Sequence, residues 1–514
     1  MISVSGSALS IATNATKSSL NAILTRLAAK DHTLWGPEAE AEAAIRLNWI
    51  DLPTSSRALL PELDALTAWA RTREISSIVL AGMGGSSLAP EVIAKTFKKS
   101  LTVLDTTDPD QIKAAIPTDL AHSLVVVGSK SGSTIETASH KAFFTKVYQD
   151  AGLNPADHFM IVTDPGSPLD KSARADGLRV VNADPNVGGR YSALSAFGLV
   201  PAALIGVDVS ILLDDAAAAA ATFTSENSSV VEIAATIFDK GEQSVAFFDA
   251  GSDLPGISDW IEQLIAESTG KNQTGRLPIT IESGSAPIAG AGLKIGFDSS
   301  SQGDLVVTGS LGEQFILWEW VTALLGYSLQ VDPFNQPNVT EAKERTGALL
   351  STWNDGKVPQ YKPAFSNDVL SIYSSSTAES LEGQLKDFLK IDSHYIAIMA
   401  YLSRGIDESA PALREVIATK SGKGTTFGWG PRFLHSTGQF HKGGQHNGAF
   451  LQITGENQGD LAIPHQNFSF HTLLMAQALG DGQALADRKF PLVRIHLKNR
   501  EAGLALLLEE LKKI

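Results

Sequence analysis

The sequence predicts an α/β fold in which parallel sheets are flanked by helices. From Ile75 onward, short apolar runs that suit buried strands alternate with helical segments, which is the pattern of a parallel sheet with crossover connections. The alternation begins again at Ser244 and a third time after the proline-containing connection at 353–365. With 514 residues, 43% of them hydrophobic, the chain can bury a large core and should divide into two or three domains.

Three domains follow from these segments. Residues 16–72 have the apolar spacing of helices, and together with the first alternating segment they form a predicted domain 1–225. The alanine-rich stretch DDAAAAAATFTSE predicts an exposed helix and a boundary, after which a domain 226–375 begins. In that domain EQFILWEWVTALLGYSL predicts a largely buried helix. Residues 376–514 form a C-terminal α/β segment.

Charge and composition exclude several classes of function. Lysine and arginine number 41 against 56 acidic residues, and the net charge of −15 without a basic cluster argues against nucleic acid or an anionic membrane as partner. The absence of cysteine excludes disulfides, thiolate metal sites and a cysteine nucleophile. No apolar run approaches the roughly 20 residues of a membrane helix, and the N-terminus lacks the pattern of a secretory signal. We therefore expect a cytoplasmic protein with a small-molecule partner.

The stretch LVVVGSKSGSTIETASH predicts an anion site. Leu124–Val127 suits a buried strand, and a helix begins near Ile135. At such a junction the helix presents unpaired N–H groups and the positive end of its dipole, which suits a phosphate monoester. The alternative is a serine-rich connection with Thr134 as an ordinary N-cap. The candidate binding residues are Ser129, Lys130, Ser131, Ser133 and Thr134.

A second glycine-rich loop follows the strand SSIVL. In AGMGGSSLAPEVIAKTF, Gly85 and Ser86 put a backbone amide and a hydroxyl at the start of a helix. The G-x-G-G-S-S spacing differs from the dinucleotide-binding signature G-x-G-x-x-G. Because the two loops follow neighbouring parallel strands, they should face one crevice, where sheets of this kind bind ligands.

Three motifs place charged side chains near helix ends. Arg190, in GGRYSALSAFGL, could pair with a carboxylate as a structural cap or face a charged intermediate. Glu267, near the glycine stop of QLIAESTGK, faces the unfavourable end of a helix dipole, so it is either a solvated residue or a base held in place. Gln263 lies one turn earlier on the same face. Lys343, in FNQPNVTEAK, is either a surface residue or one directed at a ligand.

The loop GWGPRFLHSTGQFHKGGQHNG holds three histidines, His435, His441 and His446, among glycines and hydroxyls. Their spacing matches no zinc signature, and no cysteine is present to complete one, so no metal site is expected. An imidazole titrates close to neutral pH, and the pattern therefore favours proton transfer.

Together these motifs resemble those of the phosphoglucose isomerase family. GMGGSSLAP resembles its first glycine-serine loop, SKSGSTIET its phosphate loop, GGRYSALSAFGL its arginine motif, QLIAESTGK the helix with its catalytic glutamate and FNQPNVTEAK its late lysine motif, in the same order. More narrowly, DHTLWG, FNQPNVTEAK and LHSTGQFHKGGQ resemble the isomerase part of the bacterial fusion of transaldolase with phosphoglucose isomerase. The resemblance implies two sugar-isomerase (SIS) subdomains with parallel sheets flanked by helices, plus the C-terminal α/β segment.

The resemblance also implies an activity, the interconversion of glucose 6-phosphate and fructose 6-phosphate through an enediolate, without a metal or organic cofactor. Glu267 would carry a proton between C1 and C2, Arg190 would stabilise the oxyanion, and Lys343 with His441 or His435 would open the sugar ring. Gly85, Ser86 and Gln263 would bind the substrate together with the five loop residues. The family's histidine motif falls between its glutamate and lysine motifs, but residues 272–342 contain no histidine, so the ring-opening histidine stays open.

Three further questions stay open at this stage. The substrate could be another sugar phosphate, such as mannose 6-phosphate or an amino sugar phosphate. The protein could instead be a non-catalytic sugar-phosphate sensor, although its acidic balance and the lack of a basic helix-turn-helix argue against a DNA-bound regulator. In the family a subunit can contribute its histidine to the neighbouring site, so the resemblance also allows a homodimer.

Overall fold

The computed structural model describes residues 1–288, 292–298, 302–353 and 358–514. Residues 354–357 of the predicted connection 353–365 lie outside the described residues. The strands, in chain order, are β1 (Ser3–Ser5), β2 (Ser77–Gly82), β3 (Thr102–Leu104), β4 (Ser123–Gly128), β5 (Phe159–Thr163), β6 (Arg179–Asn182), β7 (Ser244–Phe248), β8 (Leu277–Thr280), β9 (Lys294–Gly296), β10 (Leu305–Thr308), β11 (Phe365–Ser366), β12 (Leu370–Tyr373), β13 (Tyr395–Tyr401), β14 (Gly424–Trp429), β15 (Gly448–Gly455) and β16 (Leu492–Leu497).

The helices flank these strands. In chain order they are α1 (Asn14–Asn21), α2 (Leu24–Ala28), α3 (Glu40–Ala43), α4 (Leu52–Ser55), α5 (Leu60–Thr72), α6 (Leu88–Thr96), α7 (Pro109–Ala114), α8 (Ile135–Asp150), α9 (Pro168–Ala175), α10 (Ala196–Leu204), α11 (Val209–Ala220), α12 (Ser229–Lys240), α13 (Ile257–Thr269), α14 (Leu311–Leu329), α15 (Pro337–Thr352), α16 (Leu381–Leu389), α17 (Ala412–Ser421), α18 (Gly438–Gly443), α19 (Phe470–Asp487) and α20 (Arg500–Lys513).

The first sheet has the strand order β3-β2-β4-β5-β6, and all its strands are parallel. Strands β2 and β4 are neighbours, and their register sets Gly82 beside Gly128. Both glycine-rich loops therefore leave the same edge of the sheet, as the sequence predicts. Because both faces are covered, the strands are apolar runs with little alternation, such as Leu124–Val127.

The second sheet has the order β1-β10-β9-β7-β8, in which β7 to β10 are parallel and β1 is antiparallel to β10. Helix α14 is buried over most of its length against α11, α12 and α13, which confirms the prediction of a buried helix. The alanine-rich α11 is not the exposed helix that its composition predicts. Its Leu212, Ala216 and Ala219 are buried, and a Cβ on Gly312 of α14 would lie 2.2 Å from the Leu212 carbonyl oxygen. Small side chains let these two helices approach closely.

The third sheet has the order β11-β12-β16-β15-β13-β14. Strands β13 to β16 are parallel, β12 is antiparallel to β16, and β11 is antiparallel to β12. One face packs against α16, α17 and α20. The other face packs against α18 and α19. The parallel sheets with flanking helices confirm the predicted fold class.

Two sheets extend across the predicted domain boundaries. Strand β1, at the start of the predicted domain 1–225, pairs with the second sheet. Strands β11 and β12 precede residue 376 but belong to the third sheet. Both are additions at a sheet edge, a long-range pairing for which the local alternation of strands and helices gives no signal.

Buried charges join the first sheet to the C-terminal unit. Glu91 and Asp105, near the first sheet, bind Arg432 at 2.7 Å and 2.9 Å, and Arg404 also pairs with Glu91 at 2.6 Å. Asp108 binds Arg500 at 2.7 Å. These pairs hold the loop after β14 against the first sheet. A membrane-spanning helix, one that combines enough length with enough hydropathy, is absent from the described residues.

Candidate active site

The predicted phosphate loop lies between β4 and α8 and is ordered by its own hydroxyl groups. The Gly132 amide donates to Ser129 Oγ at 3.1 Å, and Ser129 Oγ lies 3.4 Å from Thr134 Oγ1. The Ser131 and Ser133 hydroxyls are 2.7 Å apart. Gly132 has φ +74°, and a Cβ there would lie 2.5 Å from Leu169 Cβ, so the turn requires glycine. The loop therefore holds four hydroxyls next to a helix N-terminus.

Lys130 turns away from these hydroxyls. Its ammonium pairs with Asp164 at 2.7 Å and donates to the Pro185 carbonyl at 2.9 Å. Burial lowers the pKa of Lys130, and the Asp164 carboxylate opposes that shift. These two contacts hold the loop against the segments that follow β5 and β6.

The second glycine-rich loop touches both the first loop and the arginine motif. A Cβ on Gly128 would lie 3.1 Å from Ser86 Cβ, so Ser86 lies beside the end of β4. A Cβ on Gly85 would lie 1.8 Å from the Gly189 carbonyl oxygen. Only glycine allows this approach, which sets Arg190 directly behind the second loop.

Arg190 and Glu267 form a buried ion pair, with Nη1 and Oε1 3.0 Å apart. The guanidinium also donates to Ser268 Oγ at 2.9 Å, to the Asn335 carbonyl at 2.8 Å and to Gln336 Oε1 at 3.1 Å. It therefore ties the C-terminal end of α13 to the segment that leads into α15. Glu267 accepts a charged partner at the helix end where the dipole disfavours a carboxylate.

Gln263 connects this ion pair to the histidine loop. It is buried one turn before Glu267, and its Nε2 donates to Glu267 Oε2 at 3.1 Å and to the His435 carbonyl at 2.8 Å. The carboxylate and the backbone of His435 are thus fixed by one amide group. The structure brings together Arg190, the pair Gln263 and Glu267, and His435, which come from three separate parts of the sequence.

His435 is paired with a carboxylate that sequence reasoning did not single out. Its Nε2 lies 3.0 Å from Oε1 of Glu136, in the first turn of α8 directly after the phosphate loop. Gln477 of α19 also donates to that oxygen at 2.8 Å. Burial acts to raise the pKa of Glu136, but His435 and then Lys343 outweigh it and hold the pKa at about 2. A constantly ionised carboxylate therefore faces the imidazole.

Lys343 and His435 line the same cavity. The cavity has a volume of about 150 Å³ and is also lined by Ser133 of the phosphate loop and by Glu136. The Lys343 side chain is exposed at this surface. One residue from the phosphate loop, one from the lysine motif and one from the histidine loop thus meet at one cavity.

His441 occupies a different environment. It is buried among the rings of Phe433, Phe450 and Tyr395, and its Nδ1 lies 3.2 Å from the Tyr395 hydroxyl. Burial, and then the neighbouring Lys442, lower the pKa of His441 to about 3. An imidazole held neutral in an aromatic cluster is poorly suited to exchange protons at neutral pH.

Two further charged residues beside the site were not singled out from the sequence. Glu262 precedes Gln263 and receives a hydrogen bond from Ser436 at 3.3 Å. Burial and the nearby Asp259 raise the pKa of Glu262 to about 8. Lys271 is buried against the carbonyls of Ser268 and Asp332, and burial, then Arg190, lower its pKa. The position of Lys271, directly after the motif that holds Glu267, was a visible sign that it lies near the site. No comparable signal in the sequence distinguishes Glu262.

Comparisons with known proteins place these motifs in context. A family model described as phosphoglucose isomerase matches residues 65–291, which include the phosphate loop, Arg190 and Glu267. A probable glucose-6-phosphate isomerase from Haloarcula marismortui is 30% identical over 236 residues, covering 44% of this chain and 54% of that protein. The glucose-6-phosphate isomerase of Citrifermentans bemidjiense is 36% identical, and the match covers 38% of this chain and 40% of that protein. The glucose-6-phosphate isomerase of Thermus thermophilus is 34% identical, and the match covers 45% of this chain and 57% of that protein.

A solved structure of a protein with that name has a similar fold. The crystal structure of a glucose-6-phosphate isomerase from Chlamydia trachomatis aligns with a TM-score of 0.51 at 22% identity, covering 61% of this chain and 76% of that one. The chain spans about 40 to 57% of the length of these curated relatives. The family match covers less than half of the chain, and Lys343 and His435 lie beyond it.

Proposed function

We propose that the protein is an aldose–ketose isomerase that interconverts glucose 6-phosphate and fructose 6-phosphate. The observation that carries this proposal is the hydrogen-bonded chain from Glu267 through Gln263 to His435 and Glu136, which begins at a carboxylate and ends directly after the phosphate loop. The match of residues 65–291 to the phosphoglucose isomerase family model supports it, as do the relatives of that activity.

The phosphate of the substrate would bind the loop 129–134. Hydroxyl groups and backbone amides at the start of α8 suit a dianionic group, and the positive end of the helix dipole adds to the attraction. Ser86 and the Gly85 amide would close the site from the neighbouring loop. Since a phosphate is held alike in substrate and transition state, these groups should act chiefly on KM.

Ring opening needs a proton to leave the O1 hydroxyl and another to reach the ring oxygen. Glu136 accepts the hydrogen bond from His435 Nε2, which leaves Nδ1 as the ring nitrogen to exchange a proton with the sugar. Lys343, on the same cavity, would donate to the other oxygen. We therefore assign the ring-opening histidine to His435 in preference to His441.

Isomerisation moves one hydrogen between adjacent carbons. Glu267 would take the C2 proton from the open-chain aldose, and the electron pair of that C–H bond would form the C1–C2 double bond of the enediolate as negative charge develops on O1. A proton passes from O2 to O1, and Glu267 returns its proton to C1 to give the ketose. Arg190 would stabilise the oxyanion, a contribution of about 3 kcal/mol for one well-placed donor. Its Nη1 lies 3.0 Å from Glu267 Oε1, so the proposed base and the proposed oxyanion partner are adjacent.

The relationship to a particular branch of the family, the oligomeric state and the cellular location are also proposals. The motifs DHTLWG, FNQPNVTEAK and LHSTGQFHKGGQ support a relationship to the isomerase part of the transaldolase/phosphoglucose isomerase fusion. A homodimer and a cytoplasmic location stay predictions, which sedimentation and cell fractionation test.

A coupled assay of fructose 6-phosphate conversion tests the proposed function, with mannose 6-phosphate run in parallel. Glu267→Gln should lower kcat about 10³-fold while sugar-phosphate binding by calorimetry stays within about threefold, because the amide cannot accept the C2 proton. Asp259→Asn, on an exposed carboxylate of the same helix, is the matched control and should leave kcat unchanged. Unaltered turnover in Glu267→Gln would remove the assignment, and binding without turnover by the parent protein would identify a sensor.

A further inference from the structure

A second cavity lies in the C-terminal unit, on the opposite side of α19 from Glu136. It has a volume of about 520 Å³ and lies between the third sheet, α19 and the segment 358–363. This volume is in the range of small-molecule sites. Its polar and aromatic lining comes from Tyr361, Tyr373, His471, Arg494, His496 and Lys498. None of these residues takes part in the proposed isomerisation.

Arg494 is the centre of this cavity. It lies on β16 beside Tyr373 of β12, and its guanidinium carbon is 4.2 Å from the centre of the Tyr373 ring and 5.3 Å from that of Tyr361. Two aromatic rings therefore fix the plane of the guanidinium. Burial lowers the pKa of Arg494, so the group is partly withdrawn from water.

Within the described residues, the Arg494 guanidinium meets neither a carboxylate nor a hydrogen-bond acceptor. The other half-buried and buried arginines of this unit are paired with carboxylates: Arg404 and Arg432 with Glu91, Arg414 with Glu282, Arg488 with Glu341 and Arg500 with Asp108. A desolvated guanidinium without an anion is costly. Arg494 lines the cavity, where an oxyanion could accept a bidentate pair of hydrogen bonds from its guanidinium.

The surrounding groups add positive potential. His496 and Lys498 follow Arg494 at two-residue intervals along the chain of β16, so His496 shares its face of the sheet, and Lys498 and His471 also line the cavity. Lys498 donates to Ser366 Oγ at 2.9 Å, and His471 Nδ1 lies 2.7 Å from Asn457 Oδ1. Among the lining residues the carboxylate is Glu456, which is largely exposed and bound to His496 at 3.1 Å. Arg494 and Lys498 are the cationic side chains of this lining, and with the imidazole N–H groups nearby they favour a ligand that offers several oxyanion acceptors.

The remaining wall is apolar. Met475 and Leu479 of α19 line it, with Val358 and Pro359 across the cavity, and the Tyr361 ring is partly exposed. A ligand that filled the cavity would thus place a flat, apolar body beside a charged end. We propose that this cavity binds a small phosphate monoester with a flat apolar group, with the phosphate on the Arg494 guanidinium and the apolar group against Tyr361 and Met475.

Calorimetric titration with phenyl phosphate tests the proposal, because this probe joins the two required parts. Arg494→Gln should weaken binding about tenfold or more, since it removes a charge-assisted pair of hydrogen bonds. Arg494→Lys, which keeps the charge without the planar fork, should bind with intermediate affinity. Arg71→Gln, on an exposed arginine of α5, is the control and should bind like the parent. In Thr134→Ala, which weakens the predicted phosphate loop, the binding event that depends on Arg494 should persist.

The controls separate this cavity from the proposed active site, and the proposal does not depend on the proposed function. Phenyl phosphate should also shift the imidazole resonances of His471 and His496 in the unaltered protein, a readout that requires no variant to fold. Benzoate, a monoanion with the same ring, should bind more weakly. Equal binding by Arg494→Gln, equal binding of benzoate, loss of binding in Thr134→Ala alone, or silent His471 and His496 signals would each overturn the proposal.

Discussion

His435 owes its orientation to a carboxylate 299 positions earlier in the chain, Glu136. Glu136 in turn is held by Gln477, whose own amide oxygen accepts from Thr107 at 2.6 Å. The imidazole, the carboxylate, the amide and the hydroxyl thus form one continuous hydrogen-bonded series. His435 therefore reaches the candidate cavity with Nε2 held by Glu136, whereas His441 lies in an aromatic cluster.

The two histidines should differ in what they do when replaced. If His435 is the proposed ring-opening group, His435→Gln should lower kcat with glucose 6-phosphate about 100-fold, because a general acid–base group is then lost. His441→Gln should keep kcat within about threefold while lowering the melting temperature, since it disturbs packing around Tyr395. Steady-state kinetics and thermal unfolding of both variants measure this. A larger loss of kcat in His441→Gln would reverse the assignment.

Glu262 should make stability depend on pH. Its pKa is about 8 in the folded protein against 4.5 ordinarily, so the folded state binds the proton more tightly than the unfolded state. The free energy of unfolding should therefore fall as the pH rises from about 4.5 to about 8 and stay reduced above that.

Glu262→Gln should remove this dependence. The variant should match the parent near pH 4 and exceed its free energy of unfolding by a few kcal/mol near pH 9, because no charge is then buried. Urea titrations at about pH 5, 7 and 9 measure the difference. The prediction would be contradicted if the free energy of unfolding of the parent, relative to that of Glu262→Gln, increased with pH.

At the scale of elements, the site is assembled where helix ends meet. The C-terminal end of α13 supplies Glu267, the N-terminal end of α8 supplies Glu136, and the start of α15 supplies Lys343. Helix α18 packs against α13 so closely that a Cβ on Gly270 would lie 2.5 Å from the Phe440 backbone. Small shifts of α18 would therefore reach the carboxylate.

Helix α18 is fixed to α19 by a buried ion pair. Lys442 Nζ and Asp481 Oδ1 are 2.5 Å apart, and both side chains are 1% exposed. Lys442→Met should lower the free energy of unfolding by about 3–5 kcal/mol, because it leaves the Asp481 carboxylate buried without a counter-charge. Chemical denaturation measures the loss.

Two comparisons make that prediction specific. The double variant Lys442→Met with Asp481→Leu should recover most of the stability, since no isolated charge remains. Lys386→Met, which breaks the exposed pair with Glu382, should cost less than about 1 kcal/mol. A double variant no more stable than Lys442→Met would show that packing, not charge, causes the loss.

The sequence predicts those elements whose structure depends on residues close together in the chain, and it misses contacts between residues far apart. The strand, glycine loop and helix at 124–150 depend on neighbouring residues, so periodicity and turn chemistry predict them. The pairing of β1 with β10 and the contact of Glu136 with His435 depend on residues hundreds of positions apart, and a single sequence carries no signal for them. The buried face of α11 was missed because alanine is neither clearly polar nor strongly apolar.

At the scale of the whole molecule, the C-terminal unit contributes groups to the site built by the first two sheets. It supplies His435 and Gln477, and its buried charges bind the first sheet. Arg432 begins the short 3-10 helix that ends at His435. The ion pairs that join the two units therefore also determine where the imidazole lies.

Replacing Arg432 should test this coupling. Arg432→Met would leave Glu91 and Asp105 with Arg404 as their remaining arginine partner, at 2.6 Å and 3.4 Å, and should lower stability by about 3 kcal/mol. The 3-10 helix should then shift, and kcat should fall more than about tenfold, because a displacement of about 1 Å in a catalytic group costs that much or more. Thermal unfolding and kinetics on the same sample measure both effects.

Arg414→Met provides the matched control. Arg414 is as deeply buried, and it joins the C-terminal unit to Glu282 of the second segment at 2.6 Å, but it contacts none of the candidate site residues. Its loss should therefore lower the melting temperature while kcat measured well below that temperature stays within about twofold. If Arg414→Met lowered kcat as much as Arg432→Met, the effect would be general loosening of the fold, and the geometric coupling of Arg432 to His435 would be wrong. If neither variant lowered kcat, the position of His435 would not depend on the charged interface at all.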